Sequence, residues 1–223
     1  MGWRGMLISK MSGQYHFETY GDEQWLRKAI STSLQIGAKE RLDEMDAAVT
    51  SLEGTLAEVQ SDARDKANKV LADLRKQRDD FRDTIRKQSE FNEAAWLLAK
   101  SKLELDWNVF EDELKKYVES FGKKIEHQQA TFKVQADAQL KAWRELADKL
   151  GINAKNFAAE RRDEIDAVVK RMNADAAEAE KKLQKLNQAG TQSWSALMAA
   201  LTETRAAFDR ANEPAREAFK RAA

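Results

Sequence analysis

The chain has 223 residues, of which 42% are hydrophobic and 34% charged, with one proline and no cysteine. That apolar content supports a packed interior rather than a disordered polymer, and the dominant residues (Ala, Glu, Lys, Leu, Arg, Asp, Gln) are those that lose least on entering a helix. Thirty-eight basic and thirty-eight acidic residues cancel, so no overall field concentrates DNA, which argues against a general nucleic-acid binder. Without thiols there is no disulfide framework, thiolate metal site or thiol nucleophile, which suits a cytoplasmic protein.

Taken in chain order, residues 1–21 carry a short apolar patch, Met6-Leu7-Ile8, too brief for a signal-peptide core or a membrane span. Met6 stands where a myristoylation signal wants Ser or Thr, and Met11 is a second candidate initiator. Gly13, Tyr15, Phe17, Tyr20 and Gly21 lack helical spacing and read as an irregular N-terminal arm. The remainder, 22–223, reads as a single elongated helical domain. A short first helix is expected from a cap at Asp22 to the neighbourhood of Gly37.

From Leu42 the apolar residues recur at three and four: Met45, Val49, Leu52, Leu56, Val59, Ala63, Ala67, Val70, Leu74, Phe81 and Ile85. This is one stripe along one helix. It resumes after Gln88 to Asn92 as Trp96, Leu103, Trp107, Phe110, Leu114, Tyr117, Phe121 and Ile125, and continues through Phe132, Leu140, Trp143 and Leu150. Gly151 followed by Asn153 is the clearest stop-and-start signal. A last stripe runs Ile165, Val168, Val169, Met172, Leu183, Leu186, passes Gly190 and goes on through Trp194, Leu197, Leu201 and Phe208 to Pro214. The fold class is therefore all-α. Two layouts remain open: a long antiparallel coiled-coil hairpin turning at Gly122, or a shorter bundle broken at 88–92, Gly151 and Gly190.

Trp96, Leu103 and Phe110 share their sevenfold spacing with Trp194, Leu201 and Phe208, and the same shift relates Arg64 to Arg162, Asp65 to Asp163, Val70 to Val168 and Leu74 to Met172. The matches suggest a duplicated helical unit over 60–121 and 158–219. Trp143, Leu150 and Phe157 have the same spacing but straddle the expected Gly151 turn. The run Lys182-Leu183-Gln184-Lys185-Leu186 to Trp194 and on to Phe208 resembles small bacterial coiled-coil proteins of uncharacterised function, which implies a helical fold and no particular activity. Gln135 to Leu150 is similar to a stretch of phasins, the helical proteins that coat polyester storage granules.

Chemistry finds little purchase. His16 and His127 are the two histidines, and the Glu-x-x-His pairs of a di-iron bundle are absent, so His127 reads as a surface or boundary residue. Glu104, Asp106, Glu111, Asp112 and Glu113 could in principle hold a hard cation, but interleaving with Leu103, Trp107 and Phe110 makes them a solvated face. No phosphate cradle or nucleophilic triad is present in the sequence. Basic pairs such as Lys115-Lys116 and Arg161-Arg162 have acids three or four residues away, as in surface ion-pair lattices.

The expectation is a non-enzymatic structural or scaffolding protein without cofactor, acting through helix–helix association. The stripe positions Leu52, Leu56, Leu74, Phe81, Trp96, Trp107, Phe110, Leu114, Trp143, Trp194, Leu201 and Phe208 carry that contact, with a second copy of the chain or another helical protein as partner. The alternative is an amphipathic-helix coat on lipid or storage-granule surfaces, with Trp96, Trp107, Trp143 and Trp194 opening onto the apolar phase.

Overall fold

The computed structural model describes residues 20–88, 93–122, 124–155, 159–189 and 193–222. Within them lie six α-helices: α1 (Tyr20–Thr55), α2 (Ser61–Gln88), α3 (Glu93–Phe121), α4 (Ile125–Ala154), α5 (Ala159–Ala189) and α6 (Trp194–Ala222). A single 3-10 turn, Leu56–Glu58, joins α1 to α2. A helix of about 30 residues is about 45 Å long, so the chain is a bundle of near-equal rods rather than a pair of very long arms.

α1 and α4 form the central pair, and α1 also packs on α2, α3 and α6, while α4 also packs on α5 and α6. Cross-contacts fix the direction of the central pair. Lys39 faces Glu145 (4.0 Å), Ser51 Oγ meets Thr131 Oγ1 (2.9 Å) and Glu58 meets Lys124 (2.5 Å), so residue numbers rise on α1 as they fall on α4. The two helices are antiparallel. α2 and α3 complete one side, α5 and α6 the other.

The apolar spacing explains the assembly. Met45, Leu52, Leu71, Leu74, Phe81, Trp96, Phe110, Leu114, Phe132, Trp143, Ile165, Leu183, Trp194, Leu201 and Phe208 join one continuous core, each helix contributing the face that three-and-four spacing turns inward. Trp143 meets Phe208 edge-on with ring centroids 5.4 Å apart, tying α4 to α6.

Several sequence expectations are corrected. α1 begins at Tyr20 and runs through Gly37 to Thr55, so Tyr20 and Gly21 belong to a helix, and the rest of the expected arm, 1–19, lies outside the described residues. The stripe from Leu42 to Ile85 is two helices, because the chain turns at Leu56–Glu58 although Leu56 and Val59 keep phase. Gly151 is not a turn. α4 continues through it to Ala154, and a β-carbon there would meet nothing closer than Val169 Cγ1 at 3.9 Å. Pro214 does not end α6, which extends to Ala222; the ring removes one donor to the carbonyl four residues back without stopping the helix. The segments 89–92 and 190–192 and Phe157 lie outside the described residues, although helices end at Gln88 and Ala189 and begin again at Glu93 and Trp194.

Gly122 does close a helix, its N–H donating to the Val118 carbonyl (2.9 Å) and its own carbonyl accepting from Gln128 Nε2 (3.1 Å). A β-carbon at that position would lie 3.2 Å from Val118 Cα and from Val118 O, so the tight turn favours glycine. It is not the tip of a long hairpin, however, since α3 packs on α2 and α1. Two of the turns carry the same device. Arg64 Nη2 donates to the Ala57 carbonyl (3.2 Å) below α2, and Arg162 Nη2 to the Lys155 carbonyl (3.4 Å) below α5.

Candidate functional site

The stripe residues expected to mediate association lie inside the chain's own core. Leu74, Phe81, Phe110, Leu114 and Leu201 are fully buried, and Leu52, Trp96, Trp107, Trp143, Trp194 and Phe208 are at most 5% exposed. Leu56 is partly buried against the same cluster. They pack against one another within a single chain, and adsorption to a surface through Trp96, Trp107, Trp143 or Trp194 requires the bundle to open.

At the centre of that core sits a polar cluster which the stripe pattern does not announce. Arg205 of α6 is 5% exposed, and its guanidinium donates to both carboxylate oxygens of Glu44 on α1, from Nη2 at 3.0 Å and Nε at 3.3 Å. Nη1 donates to Glu111 of α3 at 3.3 Å. The cation also lies 4.4 Å from the Trp107 ring centroid, within cation–π range. One arginine thereby ties α1, α3 and α6 together.

One turn before Glu44 on α1, Glu40 is 1% exposed, and neither of its carboxylate oxygens has a hydrogen-bond partner among the described residues. Arg41 approaches only to 3.9 Å and itself donates weakly to Asp209 at 3.4 Å. Burial, reinforced by the neighbouring Glu44 charge, pushes the Glu40 carboxyl well above its usual range. Burial also raises Glu44, though Arg205 opposes it. For Arg205, burial disfavours the charge, but Glu44, Glu111 and Glu40 outweigh that penalty and raise its pKa. The arrangement is a buried guanidinium that donates to both oxygens of Glu44 and to Glu111, beside a second buried carboxyl whose pKa is raised.

The acidic run on α3 divides in this context. Glu111 serves Arg205, Glu113 accepts from Gln77 Nε2 across the α2–α3 contact (2.9 Å) and Asp106 pairs with Lys102. His127 is half-buried with Nε2 3.3 Å from Glu58. Among the described residues, no group of three His, Cys, Asp or Glu side chains could hold a metal ion, and no helix is long and apolar enough to cross a membrane.

Two surface features remain. On the outer face of α3, Leu98, Leu105 and Val109 are 81%, 63% and 44% exposed. Between α5 and α6 runs an open groove of about 650 Å³ floored by Met172, Ala179, Leu183 and Ala207. The exposed α3 row left a signal in the sequence, since Leu98 and Leu105 fall two residues after Trp96 and Leu103, and Val109 one before Phe110, which puts all three on another face. The groove was not, because alanine reads equally as core or surface. Compared with known proteins, this chain matches no family model, no curated protein and no solved structure.

Proposed function

We propose that the protein is a non-enzymatic helical scaffold that associates with a second copy of itself through the outer face of α3. The observation carrying this reading is the row Leu98, Leu105 and Val109, spaced by seven and four on a helix whose opposite face already fills the core. Such spacing is that of a packing seam, and bulky apolar residues in a row on a charged helix have no use in water. An antiparallel pairing of two α3 helices would set Leu98 of one copy against Val109 of the other, a self-complementary contact as twofold association requires. Lys102 and Asp106 on the same helix neutralise each other, so two copies do not repel along the seam. Burial of the stripe residues within one chain moves the association surface from the stripe to this outer row. The absence of cysteine favours a cytoplasmic setting.

The same reading includes an internal repeat. α2 starts at Ser61 and α5 at Ala159, ninety-eight residues on, and the Arg64–Ala57 and Arg162–Lys155 bonds are related by that same shift. So are the ion pairs Asp46–Arg82 (2.8 Å) and Arg144–Glu180 (2.6 Å), with their charges exchanged. Trp107 and Arg205 are also ninety-eight apart, and they stack on each other, as equivalent positions do at a twofold axis. These coincidences support two three-helix halves, α1–α3 and α4–α6, joined face to face.

Light scattering across a concentration series tests the association. The wild type is expected to form a discrete dimer, and Leu105→Glu to be monomeric with an unchanged Tm. A wild type that stays monomeric at every concentration overturns the proposal.

A further inference from the structure

The groove between α5 and α6 has a counterpart between α2 and α3 if the two halves are equivalent, and the following rests on that repeat. In the first half larger or bridging side chains stand at the equivalent positions. Phe81, at the position equivalent to Ala179, is fully buried, and Gln77 reaches Glu113 at 2.9 Å across the gap. The second half has Asp175 and Ala211 at the equivalents of that bridge, and Ala207 at the equivalent of Val109. The volume of one aromatic ring and one hydrogen-bonded bridge is thus missing, and an opening of about 650 Å³ stands in its place. This lies within the range of about 300–1,000 Å³ usual for small-molecule sites.

Charge changes together with volume. Arg171 and Arg210 line the opening, where the first half has Asp73 and Asp112 at the equivalent positions. Lys182 is held between Glu178 (3.5 Å) and Glu203 (3.9 Å), which also fixes α5 and α6 as antiparallel. Arg171 and Arg210 therefore fall together toward the Pro214 end, and neither makes an ion pair among the described residues. Asp175 shares this end, so the lining residues there carry one positive charge in excess. A long apolar floor with a cationic end fits a single-chain anion with an apolar tail.

We propose that this groove binds a free fatty acid, its acyl chain lying on Met172, Ala179, Leu183 and Ala207 and its carboxylate on Arg171 and Arg210. Guanidinium pairs suit this headgroup because each can grip a carboxylate through two parallel donors.

Calorimetric titration of the full chain with palmitate, kept below its micelle concentration, tests the assignment. The expected result is one palmitate per chain. The double variant Arg171→Gln/Arg210→Gln should weaken palmitate by about tenfold or more, since charge-assisted hydrogen bonds are lost, while leaving hexadecanol binding unchanged. Ala179→Phe should abolish binding of both and hold or raise the Tm, as the ring fills space that Phe81 fills in the other half. A lowered Tm for Ala179→Phe would break the equivalence of the halves alone, and the exposed arginine variants would still decide the site. No palmitate binding, binding indifferent to the arginine variants, or binding only to phosphatidylglycerol vesicles overturns the proposal.

Discussion

Replacing Arg205 by Met removes the cation at the centre of the bundle while keeping most of the apolar stem. Glu44 is fully buried and receives two of the three hydrogen bonds this guanidinium donates, at 3.0 and 3.3 Å. Breaking a buried pair from one side costs about 3–5 kcal/mol, because the surviving charge is left without compensation. Against a typical domain stability of about 5–15 kcal/mol, that is a large fraction. The cost has a pH signature. With Arg205 gone, the burial that raises Glu44 is opposed only by the hydrogen bond from Gln139 and the charge of Arg41, and a carboxyl whose folded pKa exceeds its unfolded value loses stability as pH rises through the interval between them. Arg205→Met should therefore be more destabilised at pH 8 than at pH 5. The partner variant Glu44→Leu/Arg205→Met removes both charges and should recover most of the loss, since buried pairs replaced by apolar residues are commonly neutral or better. Urea unfolding followed by tryptophan fluorescence reads all three proteins. A cost below about 1 kcal/mol for Arg205→Met, or a double variant no better than the single, would refute the account of the cluster.

Glu40→Gln probes the unpartnered carboxyl beside it. Because burial raises Glu40 above its ordinary value of 4.5, the wild type is fully stabilised below that value and loses stability as pH rises through the folded one. The variant should melt higher than wild type at pH 8, by about 1–3 kcal/mol in stability, and close to it at pH 4; identical pH profiles would contradict this. Arg64→Ala and Arg162→Ala each remove one turn-clamping donor, and chemical denaturation should show losses of about 1 kcal/mol apiece that add in the double variant. A marked inequality between them would count against the proposed repeat.

The all-α class and most of the core were legible because burial follows three-and-four spacing with few exceptions: of the stripe residues from Met45 to Phe208 singled out above, Ile125 at the start of α4 is exposed (39%) and the others are buried or half-buried. The helix ends were less so. Leu56 and Val59 keep the apolar phase through a turn, and spacing reports which face is apolar, not whether the backbone is continuous. Gly151 and Pro214 misled in the opposite direction. Each lowers helix propensity locally by about 1 and 3 kcal/mol, yet tertiary packing of a thirty-residue helix exceeds either penalty. The Arg205 cluster left a trace that pattern reading passes over: Arg205 sits midway between Leu201 and Phe208, where the seam calls for an apolar residue. A single charged residue on a buried seam points to a buried partner, here Glu44, one turn along from Glu40 on another helix.

The polar cluster and the α3–α6 contact have one physical origin if the halves are equivalent. Residues at a twofold axis meet their own counterparts, so equivalent halves would bring Trp107 against the residue ninety-eight positions on. That residue is Arg205, whose guanidinium lies 4.4 Å from the Trp107 ring centroid, within cation–π range. The cation then needs an anion, because a buried guanidinium without one is costly. Glu44 supplies it, and its own equivalent on α4 is Ala142, buried at 2% exposure, where no second charge is required. We infer that the buried pair selects one register for helices whose apolar faces would otherwise tolerate several, the best-attested use of a buried charge in a helical bundle.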